Sequence, residues 1–136
     1  MKTLKIGIMN YEDMKAYSIA VAKGERKRKA GEPKIWFTSM QSFARVLSEQ
    51  NRELLALIAE EKPDSLQELE DLTGRKVSNL SRTLKKMEDY GIVTLERGRQ
   101  GRLKPRFPYS GFQLELPIAT MAAKGAMQSR KPAQAS

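Results

Sequence analysis

The chain has 136 residues, and 25 Lys and Arg against 16 Asp and Glu leave a net charge of +9. It contains no histidine and no cysteine, which excludes disulfide frameworks, zinc fingers, nucleophiles activated by histidine and most transition-metal sites. No catalytic residue, metal or cofactor is therefore expected, and a small basic domain of this kind points to a polyanion partner before it points to a reaction.

No apolar stretch approaches the roughly 18 residues of a membrane helix. The start is basic, but the apolar residues that follow, Ile6 to Met9, are too few for a secretory signal. A cytoplasmic protein with no membrane partner is the expectation.

Leu4, Ile6 and Ile8 alternate with Lys5 and Gly7, the pattern of a short strand. Asn10 caps a predicted helix over 11–23, with Met14, Tyr17, Ile19, Val21 and Ala22 as its apolar face and Gly24 as its end. A charged linker over 25–33 follows, in which Arg26 to Lys29 serve either as a phosphate-contacting arm or as a solvated spacer. Ile35-Trp36-Phe37 reads as a brief strand, and Trp36, Phe37 and Phe43 are assigned to the core. A helix capped by Thr38 or Ser39 runs to about Leu47, with Met40, Phe43, Val46 and Leu47 on one side. The next helix, 49–62, turns Leu54, Leu55, Leu57 and Ile58 inward and is stopped by Pro63. Ser65 and Glu68 fit a capping box, Leu66, Leu69 and Leu72 give that helix an inward seam, and Gly74 suits a sharp exit into a helix-turn-helix.

The helix predicted over 77–90 carries Val77, Leu80, Leu84 and Met87 on one side, with Ser78, Asn79, Arg82, Lys85, Lys86 and Asp89 on the opposite arc. Gly91 closes it. A strand over 92–96, a glycine-bearing turn from Arg97 to Gly101 and a returning strand over 102–107 make a basic hairpin, with Arg102, Lys104 and Arg106 sharing one face. Phe112, Leu114 and Leu116 alternate in a last strand, and a flexible tail follows.

Charge is segregated along this order. Residues 49–72 hold eight acids and two bases, net −6, whereas residues 73–106 hold ten bases and three acids, net +7. A solvated surface mixes its signs; this division gives the basic excess to one helix and one hairpin. Ser and Asn reach base edges in a major groove, and Arg and Lys reach guanine or phosphate. The candidate DNA contacts are Arg75, Lys76, Ser78, Asn79, Ser81, Arg82, Lys85 and Lys86, together with Arg97, Arg99, Gln100 and Arg102 in the hairpin turn. Asn79 and Arg82 are the expected base contacts. Glu88, Asp89 and Glu96 are the carboxylates of this region, and their places on helix and strand suggest no converging metal site.

The segment from Ile35 to Arg106, above all the string from Thr73 to Val93, resembles a winged helix-turn-helix of the broad MarR/ArsR type. Tyr11 to Lys15, the GEPKIWF string over 31–37 and the SNLSRTL string over 78–84 are similar to a narrower family, the TumA-type antitoxins, which are paired with TumE-type toxins. Val77 departs from the second serine expected there. The resemblance implies a repressor and antitoxin with a cognate toxin as partner; nothing in composition or spacing points to a toxin.

The expected fold class is α+β, mainly α. A winged helix-turn-helix domain (34–110) follows an N-terminal strand, helix and basic linker (1–33), and a C-terminal strand (111–118) and flexible tail (119–136) end the chain. The expected function is sequence-specific binding of double-stranded DNA, by a homodimer on an operator of two-fold symmetry. The terminal strands need partners, either each other or a second chain, so Leu4, Ile6, Ile8, Phe112, Leu114 and Leu116 are the candidate dimer or toxin contacts. A one-component repressor without a toxin is an alternative, and so is a toxin-neutralising interaction protein with only incidental DNA binding.

Overall fold

Leu4, Ile6 and Ile8 do turn inward, but their strand, β1 (Lys2–Ile8), is the centre of a sheet rather than part of an extension. The computed structural model describes residues 2–27 and 31–116. β1 lies between β2 (Ile35–Phe37) and β5 (Tyr109–Glu115) and is parallel to both, with Ile6 opposite Ile35 on one side and Leu114 on the other. The two terminal strands thus pair with each other. A register shift between Lys2 and Thr3 starts the β1–β5 ladder, where Ser110 is passed over.

Between β1 and β2 runs α1 (Tyr11–Ala22), capped by Asn10, whose side chain accepts from the Asp13 N–H. The expected apolar face of α1 is corrected. Tyr17 is buried, but Ile19 is 44% exposed and Ala22 is exposed, because they lie about 200° and 140° around the helix from Tyr17 and cannot share its inward face. Tyr17 packs on Trp36 with ring centroids 6.2 Å apart, and its hydroxyl donates to Glu32 at 2.7 Å. The Arg26 guanidinium sits 4.8 Å from the Tyr17 ring and bonds Glu32 at 3.1 Å, so the first basic residue of the linker is held by its own chain. Arg28 and Lys29 lie outside the described residues, as does the chain from Pro117 on, including the end of the strand expected over 111–118.

The other face of the sheet meets four helices: α2 (Met40–Val46), α3 (Glu49–Glu61), α4 (Leu66–Thr73) and α5 (Val77–Tyr90). Serines 39, 48 and 65 cap the first three, each accepting a backbone N–H three residues on. The capping box at Ser65 differs in one bond: the Glu68 carboxylate accepts from the Asp64 N–H at 3.1 Å. Leu4, Ile6, Ile8, Ile35 and Phe37 from the sheet join Leu55, Ile58, Leu69, Leu80, Leu84 and Met87 in one core. Phe37 stacks on Tyr90 at 4.5 Å and meets Phe43 edge-on at 5.6 Å. Three residues expected in this core are not in it: Met40 (44% exposed), Leu72 (46% exposed) and the half-buried Trp36, which packs on Tyr17 instead.

After α5 comes an antiparallel hairpin, β3 (Thr94–Arg97) and β4 (Leu103–Arg106), with Leu95 opposite the buried Pro105 and Glu96 opposite Lys104. β3 starts two residues later than expected. Gly91 (φ +87°) ends α5 with its N–H on the Glu88 carbonyl, and the Ile92 N–H returns to the Met87 carbonyl, so Ile92 closes the helix instead of opening the strand. Arg106 is drawn away from the hairpin surface: its guanidinium donates to the Pro63 carbonyl at 2.7 Å and reaches Asp64 at 3.4 Å. The described residues thus form a mixed α/β fold, and none of their helices is long and apolar enough to cross a membrane.

Candidate nucleic-acid interface

Three residues, Gly74, Arg75 and Lys76, separate α4 from α5. Gly74 takes the left-handed conformation (φ +77°) that a side chain disfavours, and its N–H closes on the Glu70 carbonyl at 2.7 Å. The Thr73 hydroxyl donates to the Leu69 carbonyl at 2.8 Å and accepts from the Arg75 N–H at 3.1 Å, which sets the turn. Lys76 stands at the N-cap of α5 and offers no acceptor; the Glu70 carboxylate takes that role, accepting from the Val77 N–H at 3.0 Å. Its charge also lies at the positive end of the α5 dipole. Sequence reasoning missed Glu70, although a helix that begins on lysine signals that its first N–H groups need an acceptor from elsewhere. Glu70→Ala is expected to lower stability by about 1 kcal/mol in urea denaturation; a change below about 0.3 kcal/mol would mean that water caps the helix equally well.

Leu80, Leu84 and Met87 anchor α5 in the core, each fully buried. That fixes the opposite arc, where Ser78, Asn79, Arg82, Lys85 and Lys86 are all exposed, as is Lys76 at its start. Ser81 is half-buried. Arg82, Ser78 and Asn79 line an open groove of about 750 Å³ together with Gln50 and Glu53 of α3 and the exposed Leu72. Lys86 lines a separate hollow with Arg45, Asn51 and Thr83.

Arg75, expected among the DNA contacts, is engaged within the protein. Its guanidinium donates to Asn79 Oδ1 from Nε at 3.3 Å and from Nη2 at 2.9 Å, to Thr83 Oγ1 at 3.3 Å and to Asn51 Oδ1 at 3.3 Å. Asn51 and Thr83 are the other two residues that the sequence reading left out. A single arginine among many, with partners on another helix, carries no periodic signal.

At the hairpin tip, Arg97, Arg99, Gln100 and Arg102 are all exposed. The tip is tight: the Gly98 N–H donates to the Arg102 carbonyl at 2.7 Å, and a 3-10 turn over Arg99–Gly101 puts Gln100 at φ +60° and Gly101 at φ +72°. Of the six candidate partner contacts, Leu4, Ile6 and Ile8 are corrected to core, because the sheet face they occupy packs on the helices and buries all three side chains. Phe112 is half-buried, Leu114 on the outer strand is 40% exposed, and Leu116, just past its end, is 53% exposed.

No curated protein matches the chain. A solved structure of a predicted DNA-binding transcriptional regulator from E. coli is similar at 18% identity and a TM-score of 0.41, over 88% of this chain and 98% of that one. Residues 46–114, just over half of the chain and running from the end of α2 into β5, match the model of the HVO_A0114 family, and the chain belongs to that family.

Proposed function

We propose that this protein is a sequence-specific regulator that binds double-stranded DNA, with α5 in the major groove as the recognition helix of a winged helix-turn-helix and the β3–β4 hairpin as the wing on the flanking backbone. The observation that carries this reading is the exposed arc of α5. Its buried side is fixed by Leu80, Leu84 and Met87, which leaves Ser78, Asn79, Arg82, Lys85 and Lys86 in solvent on a segment of net charge +7. At about 1.5 Å per residue, the 14 residues of α5 span about 21 Å, and a major groove about 12 Å wide admits such a helix.

Selection from a random duplex library at fixed salt tests it, followed by Arg82→Ala. On the selected site the variant should lose about 1–3 kcal/mol and relax one base pair, and on random duplex it should lose far less. Equal losses on both would sink the assignment of Arg82 to a base.

A homodimer on a two-fold operator, with half-sites about 10 bp or a multiple apart, belongs to the same proposal. The outer edge of β5, unpaired among the described residues, and the exposed Leu114 and Leu116 support it; a sedimentation mass of one chain at micromolar concentration would exclude it. An antitoxin role, with repression of its own promoter, rests only on the resemblance carried by Tyr11 to Lys15 and the GEPKIWF and SNLSRTL strings, and the first two of these lie outside the residues that the family model matches. Co-purification with the product of the adjacent reading frame is its test.

A further inference from the structure

Arg75 and Asn79 form a unit whose chemistry narrows what α5 can read. A guanidinium carries five N–H donors and no acceptor. The Asn79 carboxamide must therefore turn its oxygen toward Arg75, where Nε and Nη2 bond it at 3.3 and 2.9 Å. Those two bonds take both lone pairs of Oδ1. The arginine is fixed in turn, since Asn51 holds it through Oδ1 at 3.3 Å while the Asn51 Nδ2 donates to the Val46 carbonyl at 3.0 Å. Thr83, one turn further along α5, accepts from Nη2 at 3.3 Å. Asn79 itself is exposed, and its Nδ2 has no partner among the described residues. It thus offers two N–H donors and no free acceptor.

We infer that Arg75 is a positioning residue that makes Asn79 a donor-only reader, selecting guanine over adenine at one base pair of each half-site. This rests on the DNA-reading role proposed for α5. Asparagine pairs with adenine by accepting from N6 while donating to N7, and with Oδ1 engaged the accepting half of that pair is lost. Guanine presents two acceptors, O6 and N7, to the two Nδ2 hydrogens. Four of the five Arg75 donors point at protein oxygens, so its own part in binding phosphate is small.

The experiment is duplex selection at one salt concentration with the wild-type protein, Asn79→Ala, Asn79→Asp, Arg75→Ala and Lys76→Ala, with melting curves for each. Asn79→Ala identifies the base pair by relaxing it. Wild type should prefer guanine there by about tenfold or more over adenine. Arg75→Ala frees the Asn79 oxygen and should bring adenine up to or above guanine. Asn79→Asp keeps the acceptor that Arg75 bonds, so it should melt like wild type, but it replaces the outward donors by an acceptor and should shift the preference to cytosine, whose N4 donates. Lys76→Ala should weaken all sites alike with no change in preference. If Arg75→Ala behaves as Lys76→Ala does, or if wild type selects adenine at the Asn79 position, the inference is overturned while DNA reading by α5 stands. If wild type selects no sequence at all, the proposed function falls and this inference with it. Should Arg75→Ala melt early, Asn79→Asp alone decides: no shift toward cytosine in a folded variant overturns the inference.

Discussion

Gly7→Ala is expected to lower stability by about 3 kcal/mol or more, at the upper end of what one added carbon does in a packed interior. A Cβ built at Gly7 would overlap the six-membered ring of Trp36, 2.6 Å from Cε3, 2.9 Å from Cη2 and closer still to Cζ3. Gly7 and Trp36 are register partners on adjacent parallel strands, and the indole fills the space that a side chain at Gly7 would take. Relief would require the indole to leave that place, and with it the packing on Tyr17. β1 has neighbours on both edges and cannot shift to make room. Gly111 is the matched control: it is in the same sheet, and a Cβ there meets nothing within 4 Å, so Gly111→Ala should change stability by less than about 0.5 kcal/mol. Urea denaturation gives both values, and Trp36, the chain's single tryptophan, reports displacement of its own ring by fluorescence. A loss below about 1 kcal/mol for Gly7→Ala, with unchanged emission, would show that the ring yields easily and that the close packing is dispensable.

The largest functional effect belongs to the hairpin tip. Replacing Arg97, Arg99 and Arg102 together by glutamine removes three exposed cations, none of which makes a side-chain bond within the described residues. If each neutralises one phosphate, the slope of log K against log salt becomes shallower by about 2.7, and at an unchanged 1 M intercept binding at 0.1 M weakens by about 500-fold. Selected and random duplexes should lose affinity together, because phosphate contacts position the protein without reading sequence. Titrations at several salt concentrations measure the slope. An unchanged slope would remove the hairpin from the backbone, and a loss confined to the selected site would instead make one of these arginines a base contact.

What was legible in the sequence was local. α5 begins at Val77 and ends at Tyr90 as expected, since four apolar residues at helical spacing and a closing glycine leave little freedom. Asn10, Ser39 and Ser65 cap as expected because a cap needs only its own next turn. Partners distant in the chain were not legible. Alternation of Leu4, Ile6 and Ile8 predicts a strand with one buried face, but it does not say which strands lie beside it, nor that Gly7 faces a tryptophan on the second face. The same holds for the basic side chains. Arg75, Arg82 and Arg106 look equivalent in sequence, yet Arg82 is exposed on α5, whereas Arg75 and Arg106 are held by oxygens from other elements. Net charge therefore located the basic region correctly while overstating how many of its cations are free.

The parallel pairing of β1 with β5 also sets an order of events during synthesis. Leu4 pairs with Phe112, so the sheet closes over a separation of 108 residues, whereas the packing of α4 on α5 and the pairing of β3 with β4 join residues within a few tens of positions of each other. At about 5–20 residues per second, β1 waits roughly 5–20 s after leaving the ribosome before its second partner exists. During that interval Leu4, Ile6 and Ile8 form an apolar strand with an open edge, the kind of segment that pairs with the wrong chain. The helices and hairpin are complete before the sheet is, and β5 closes the domain last.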